Sequence, residues 1–221
     1  MTTTNTESTG LPSSRTVAVL GAAGGVGRQV VHQLLQRGDT VRALVRREEQ
    51  ADALDALGAV TVLGDLTGDW ERVLEGADAV VWAAGAGAGG QFAQVDGEAL
   101  KRVADRLAQG GPTRLIVVSS MGVDRPEQMP PFLTAVLKVK AQSDAHVQAS
   151  GLAYTIVRPG GLTNDAGTGQ VTVGLPVAGG MVPREDVAAA VLAALDDDGT
   201  VGRVFEMVSG ETPVTQAVSG L

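Results

Sequence analysis

From Thr16 onward, short runs of consecutive apolar residues alternate with longer segments whose apolar positions recur every three or four residues. The runs predict strands at 16–20, 40–45, 60–63, 79–83, 114–119, 153–157 and 203–208. The periodic segments predict helices at 26–37, 48–57, 70–75, 94–109, 133–150 and 184–196. Gly38, Gly58, Gly76, Gly110 and Gly151 follow the helical segments as terminating glycines do. Continuously apolar strands separated by amphipathic helices are the pattern of a parallel sheet covered on both faces. The expected class is therefore α/β: one doubly wound parallel sheet over residues 15–221 with a small C-terminal extension on the substrate side. Residues 160–182 are rich in glycine and carry only a short strand-like segment at 171–173, so they form either a mobile cover over a substrate or an ordinary surface loop.

In a doubly wound sheet, ligands gather beyond the carboxyl ends of the strands, near the reversal of strand order. The segment just after the first strand is Gly21-Ala22-Ala23-Gly24-Gly25-Val26-Gly27, and it opens the first helix. Each glycine has a physical task there. Gly21 makes the tight exit from the strand, Gly24 admits a diphosphate close to the backbone, and Gly27 lets helix and strand approach. Free N–H groups at the helix start then face the phosphates. The expected architecture is an NAD(P)-binding Rossmann fold.

Composition narrows the partners. The formal net charge is -8 with no long basic run, which disfavours nucleic acid and acidic membrane surfaces. The chain has no Cys and only His32 and His146, so neither a thiol nucleophile nor a zinc cluster is expected, and no metal is assigned. Asp196-Asp197-Asp198 beside Gly199 reads as a helix end in solvent. Residues 1–14 are rich in Thr and Ser without the basic start and apolar centre of a secretory signal, which predicts a disordered tail and a cytoplasmic protein.

The second strand ends in Arg46-Arg47, where an NAD-selective site commonly carries an acid for the ribose hydroxyls. A guanidinium instead grips a 2′-phosphate through paired, charge-assisted hydrogen bonds. NADP(H) is therefore preferred over NAD(H), although two arginines after a strand could also simply begin a solvated helix.

The chain resembles the atypical short-chain dehydrogenase/reductases, in particular NAD(P)H-binding proteins similar to biliverdin-IXβ/flavin reductases and nitrogen-repression-type redox sensors. The likeness runs through Val19 to Gly27, Val41 to Arg46, Gly64-Asp65-Leu66, Val118-Ser119-Ser120, Tyr154 to Gly160 and Pro183 to Ala188. By that resemblance, Asp65 and Leu66 border the adenine, and Ala84 and Gly85 lie along the ribose and diphosphate. The cofactor set is then Gly21, Ala23, Gly24, Gly25, Val26, Gly27, Arg46, Arg47, Asp65, Leu66, Ala84, Gly85 and Lys140. Asp65 has an equally simple reading as a turn former after Gly64, and Glu185 and Asp186 as acids complementing a helix dipole.

The catalytic pattern departs from that of the superfamily. Many members carry Tyr-x-x-x-Lys after the fifth strand, whereas this chain has Val136-Leu137-Lys138-Val139-Lys140. Lys140 remains available for ribose hydroxyls or as an exposed helix lysine, and Lys138 faces away from it by about 200°. Tyr154 lies near the start of its strand, about 13 Å from the ligand end. Ser119 and Ser120 are candidates to bind a substrate carbonyl, or else tie down the strand exit; Ser120, Gly161 and Asn164 are the candidate substrate contacts. Without a strong proton donor, an acceptor that spreads added charge, such as a flavin or quinone, suits the site better than a simple ketone. The expected function is an NADPH-dependent reductase of a delocalised small molecule. The alternatives are a noncatalytic NADP(H) redox sensor acting on a protein partner, and a nucleotide-sugar epimerase or dehydratase.

Overall fold

Seven apolar runs become seven parallel strands, and all but the edge strand at 60–63 are buried along most of their length. The structure is a computed structural model that describes residues 14–87 and 90–221. The tail expected at 1–14 therefore lies, apart from Ser14, outside the described residues. The elements in order are β1 (Thr16–Leu20), α1 (Gly25–Gln36), β2 (Thr40–Val45), α2 (Glu48–Asp55), β3 (Val60–Leu63), β4 (Ala79–Trp82), α3 (Leu100–Ala108), β5 (Arg114–Val118), α4 (Thr134–Ala149), β6 (Ala153–Pro159), β7 (Gly161–Thr163), β8 (Gln170–Gly174), β9 (Met181–Pro183), α5 (Arg184–Asp196), β10 (Arg203–Ser209), β11 (Thr212–Pro213) and α6 (Val214–Ser219).

The main sheet has nine strands in the order β11-β8-β10-β6-β5-β4-β1-β2-β3. The run from β10 to β3 is parallel throughout. At the other edge β8 pairs antiparallel with β10, and β11 antiparallel with β8. The chain reverses direction across the sheet at β1, which lies between β2 and β4, and this places the crevice at the carboxyl end of β1. Alternation along β1 serves two cores: Val17 and Val19 pack with α1 and α5, while Ala18 and Leu20 pack with Trp82 and α3. No helix among the described residues is long and apolar enough to cross a membrane.

Three local expectations change. Residues 70–75 form only a 3₁₀ turn, Glu71–Leu74, with Val73 and Leu74 buried, because the segment is too short to propagate a helix. The helix expected at 94–109 begins as a π-helical stretch, Ala93–Ala99, before α3. The region 160–182 is not a single loop. It contributes β7 and β9, which form a separate parallel pair, and β8 in the main sheet. Its order comes from distant partners: Asp186 accepts from the N–H groups of Thr168 and Gly169 at 3.0 and 2.8 Å, and Glu185 accepts from that of Gly167 at 2.7 Å.

Candidate dinucleotide cleft

The glycine motif folds so closely that Gly21 and Gly27 leave no room for a side chain. Gly21 has φ +89°, and a methyl group there would stand 2.5 Å from the Ala84 amide nitrogen. One at Gly24 would meet the Gly21 carbonyl at 3.1 Å, and one at Gly27 would overlap that same oxygen. The turn is locked by a hydrogen bond from the Gly24 N–H to the Gly21 carbonyl at 2.9 Å. The first turn of α1 has no acidic residue and no side-chain cap, which leaves its free amides and the positive end of its dipole open to an anion. These features fit the diphosphate of a dinucleotide.

A cleft of about 340 Å³ opens here. The fold brings Gly21, Ala23, Gly24, Arg46, Asp65, Leu66, Ala84 and Gly85 together in its lining. Gln50, Ala86, Gln91 and Val95 also line it and had carried no signal beyond their places in loops and helix starts. Gly25, Val26, Gly27 and Arg47 do not line it. Val26 is packed in the core, Gly27 backs onto Gly21, and Arg47 is the residue preceding α2. Arg46 is exposed and has no carboxylate within ion-pair distance among the described residues, while its backbone N–H donates to Gln50 Oε1 at 3.1 Å. Asp65 combines its two readings. Its Oδ1 accepts from the Thr67 hydroxyl at 2.6 Å and the Thr67 N–H at 2.7 Å, yet it also borders the cleft. The Thr67 hydroxyl and amide, with Arg46 nearby, outweigh burial and hold its carboxyl below the usual aspartate value.

Two of the three candidate catalytic residues, Ser119 and Lys140, are engaged by buried acids that the sequence had not singled out. Ser119 donates to Asp144 Oδ2 at 3.0 Å, and Arg158 binds that oxygen through Nε at 3.0 Å and an Nη at 2.9 Å. Burial pushes the Asp144 carboxyl up despite Arg158, Ser119 and Lys140, and its Oδ1 has no partner among the described residues. Ser119 thus ties the strand exit inward. Ser120 is half-buried, and its hydroxyl makes only a 3.4 Å contact with the Met121 carbonyl. Lys140 does not stand free either: its Nζ is 2.8 Å from Asp96 Oδ1, and Asp96 Oδ2 accepts from the Ala86 N–H at 2.9 Å. Lys140 therefore reaches the cleft wall through a buried aspartate held on the π-helical stretch. Its spacing to Asp144 on one helix face was the available signal.

Lys138 is exposed and pairs with Glu127 at 2.9 Å. Tyr154 packs at the amino end of β6, where it pairs across to Leu115, so it cannot supply the missing hydroxyl. His146 lies 2.6 Å from Asp105, and Trp82 is core. Asp196 pairs with Arg15 and Arg37, and Asp197 caps the turn at Gly199.

Of the residues expected to contact a substrate, Gly161 pairs with Met181 in the small sheet, and Asn164 accepts from Arg184 at 2.8 Å. A groove of about 670 Å³ runs along Val173, Pro176, Val177, Met181 and Val208 at the carboxyl edge of β10. Fully buried Glu206 ties that side together, accepting from the N–H groups of Gly122 at 3.0 Å and Val177 at 2.9 Å and from Arg125 at 2.8 Å. An acid inside the apolar run Val204-Phe205-Glu206-Met207-Val208 was the readable hint.

A family model described as NAD(P)H-binding matches residues 21–198. The chain is 35% identical over 212 residues to the uncharacterized sugar epimerase YhfK of Bacillus subtilis, covering 93% of this chain and 99% of that protein. A solved structure of a provisionally named NAD-dependent epimerase/dehydratase from Bacillus halodurans superposes with a TM-score of 0.90 at 34% identity, covering 94% of this chain and 100% of the other. ChuY, an anaerobillin reductase of Escherichia coli O157:H7, superposes with a TM-score of 0.77 at 25% identity, covering 88% and 97%. With the glycine cradle at the start of the matched region and the likeness spanning nearly the whole chain, this protein belongs to the NAD(P)H-binding family.

Proposed function

We propose that the protein is an NADPH-dependent reductase acting on a small molecule whose electrons are delocalised, such as a flavin or quinone. The observation that carries this reading is the sharing of one cleft by the glycine cradle and an Arg46 with no carboxylate partner among the described residues. The cradle accepts the diphosphate, and Arg46 favours the 2′-phosphate over bare ribose hydroxyls. The bound nicotinamide would supply the hydride. The chain's own part is to hold the reactants and exclude competing water, with the apolar groove beside β10 suited to a flat, poorly hydrated acceptor. Val136 stands where a tyrosine hydroxyl would serve a ketone, and Ser119 is already committed to Asp144, which leaves Ser120 or solvent to deliver the proton. An acceptor that spreads its charge tolerates this.

The names of the two Bacillus relatives favour epimerase or dehydratase chemistry as a second reading. That chemistry needs a positioned acid or base at the sugar, and the departure at Val136 weighs against it. A redox sensor is the third. Calorimetry with NADPH and NADH, followed by NADPH-oxidation assays with a flavin, a quinone and a simple ketone, separates these readings. Reduction of the flavin or quinone but not the ketone is expected. Tight, redox-dependent binding without turnover selects the sensor, and no affinity for either coenzyme ends the dinucleotide reading.

A further inference from the structure

The first residue of α5 lies against the glycine motif at Gly25, which is outside the lining of the cleft that Arg46 faces. A methyl group at Gly25 would stand 2.6 Å from Arg184 Nε and 2.7 Å from its Cδ, so the stem and guanidinium of Arg184 are laid directly on Gly25. The glycine at this position is what lets the cation approach. A bond from Gln33 Nε2 to the Glu185 carbonyl, 3.0 Å, fixes the start of α5 beside α1.

Charge compensation is missing around this arginine. Among the described residues its one side-chain hydrogen bond goes to the neutral amide oxygen of Asn164, at 2.8 Å. The two carboxylates that follow it in sequence are turned to the backbone of 167–169 instead: Glu185 takes the Gly167 N–H, and Asp186 those of Thr168 and Gly169. No carboxylate lies within ion-pair distance of Arg184 among the described residues. A half-buried guanidinium with most of its five donors unused among the described residues, laid on the glycine turn, is complementary to an anionic phosphate.

We propose that Arg184 clamps the phosphate on the nicotinamide side of the dinucleotide, and that Asn164 holds it ready, so that the acceptor-side segment 161–169 senses an occupied cradle. The proposal rests on the dinucleotide reading above. The assignment to the nicotinamide side follows from the layout: Arg46 and Asp65 mark the adenosine end of the cleft, and Gly25 does not line it.

Calorimetry with two probes tests it. NADPH carries both bridging phosphates, whereas adenosine 2′,5′-bisphosphate lacks the nicotinamide-side one. Arg184→Ala and Arg184→Gln are expected to weaken NADPH about 10- to 100-fold, the effect of one or two charge-assisted hydrogen bonds, and to leave the bisphosphate within about twofold of wild type. Asn164→Ala should weaken NADPH by a smaller factor, again sparing the bisphosphate. Arg184→Gln retains most of the side chain's packing, so it reports on charge if the alanine variant folds poorly. Unchanged NADPH affinity in either Arg184 variant with normal thermal unfolding, or an equal loss for both probes, overturns the proposal while leaving the dinucleotide reading intact. Failure of the wild-type protein to bind either probe overturns both.

Discussion

At the exit of β1, Gly21, Gly24 and Gly27 shape a turn whose close packing is set by backbone, whereas around β5 and β10 the strands are held by buried charged side chains. After β5, Ser119 donates to Asp144, which also holds Arg158; within β10, Glu206 gathers Gly122, Arg125 and Val177. The contrast separates two ways of building a site. The glycine surface is protected by sterics, and each glycine answers to atoms within the same turn or the next strand. The charged surface is protected by interdependence, since removing one partner strands another in a medium that solvates it poorly.

The largest effect is expected from Arg158→Met, which leaves Asp144 buried without its counter-ion and should cost about 3–5 kcal/mol in urea denaturation. Adding Asp144→Asn to that variant should recover a substantial part. A single-variant loss below about 1 kcal/mol would mean that this region is not held by buried charge after all.

Gly21→Ala tests the glycine turn. Positive φ and the clash with Ala84 together should destabilise by about 2–4 kcal/mol and abolish coenzyme binding, as read by denaturation and calorimetry. A folded variant with normal binding would erase the steric half of the comparison.

The two buried carboxyls should respond oppositely to acid. Burial pushes Glu206 up, but Arg125 and the amides of Val177 and Gly122 outweigh it and hold the group below the ordinary glutamate value. Its stabilisation is therefore complete above that ordinary value and is lost as pH falls through the lower, folded-state value. Asp144, raised chiefly by its burial, has the reverse sign: its favourable contribution is present in acid and lost as pH rises through the folded value. Glu206→Gln should cost about 1–3 kcal/mol near neutrality, with the difference from wild type shrinking on acidification. Stability measured against pH for both proteins checks this, and a constant difference would contradict it.

Smallest in its effect on the fold is Arg46→Ala. It should weaken NADPH about tenfold or more while leaving NADH within about twofold and the unfolding midpoint unchanged. Equal losses for both coenzymes would move the 2′-phosphate selectivity elsewhere.

The glycine end was legible because its determinants are neighbours in the chain. Val17 to Gly27 spells strand, turn and helix in order, and the cleft gathers Arg46, Asp65 and Ala84 because successive parallel strands bring their carboxyl ends to one edge. Lys140 was found as a residue but not as a partner. Nothing local to it announces Asp96, which reaches it from a π-helical stretch on another element. Residues 160–182 resisted reading for a related reason. Glycine-rich segments carry little periodicity, and β7, β8 and β9 take their order from Asp186, Glu185 and the edge of β10.

Apolar alternation and turn chemistry, acting over a few residues, determined the parallel sheet, its main helices and the phosphate cradle. Tertiary structure alone decided which buried acid meets which cation, and that Arg184 rests on Gly25. Burial makes an ion pair obligatory, but the partner it requires can come from any element that packing brings within reach.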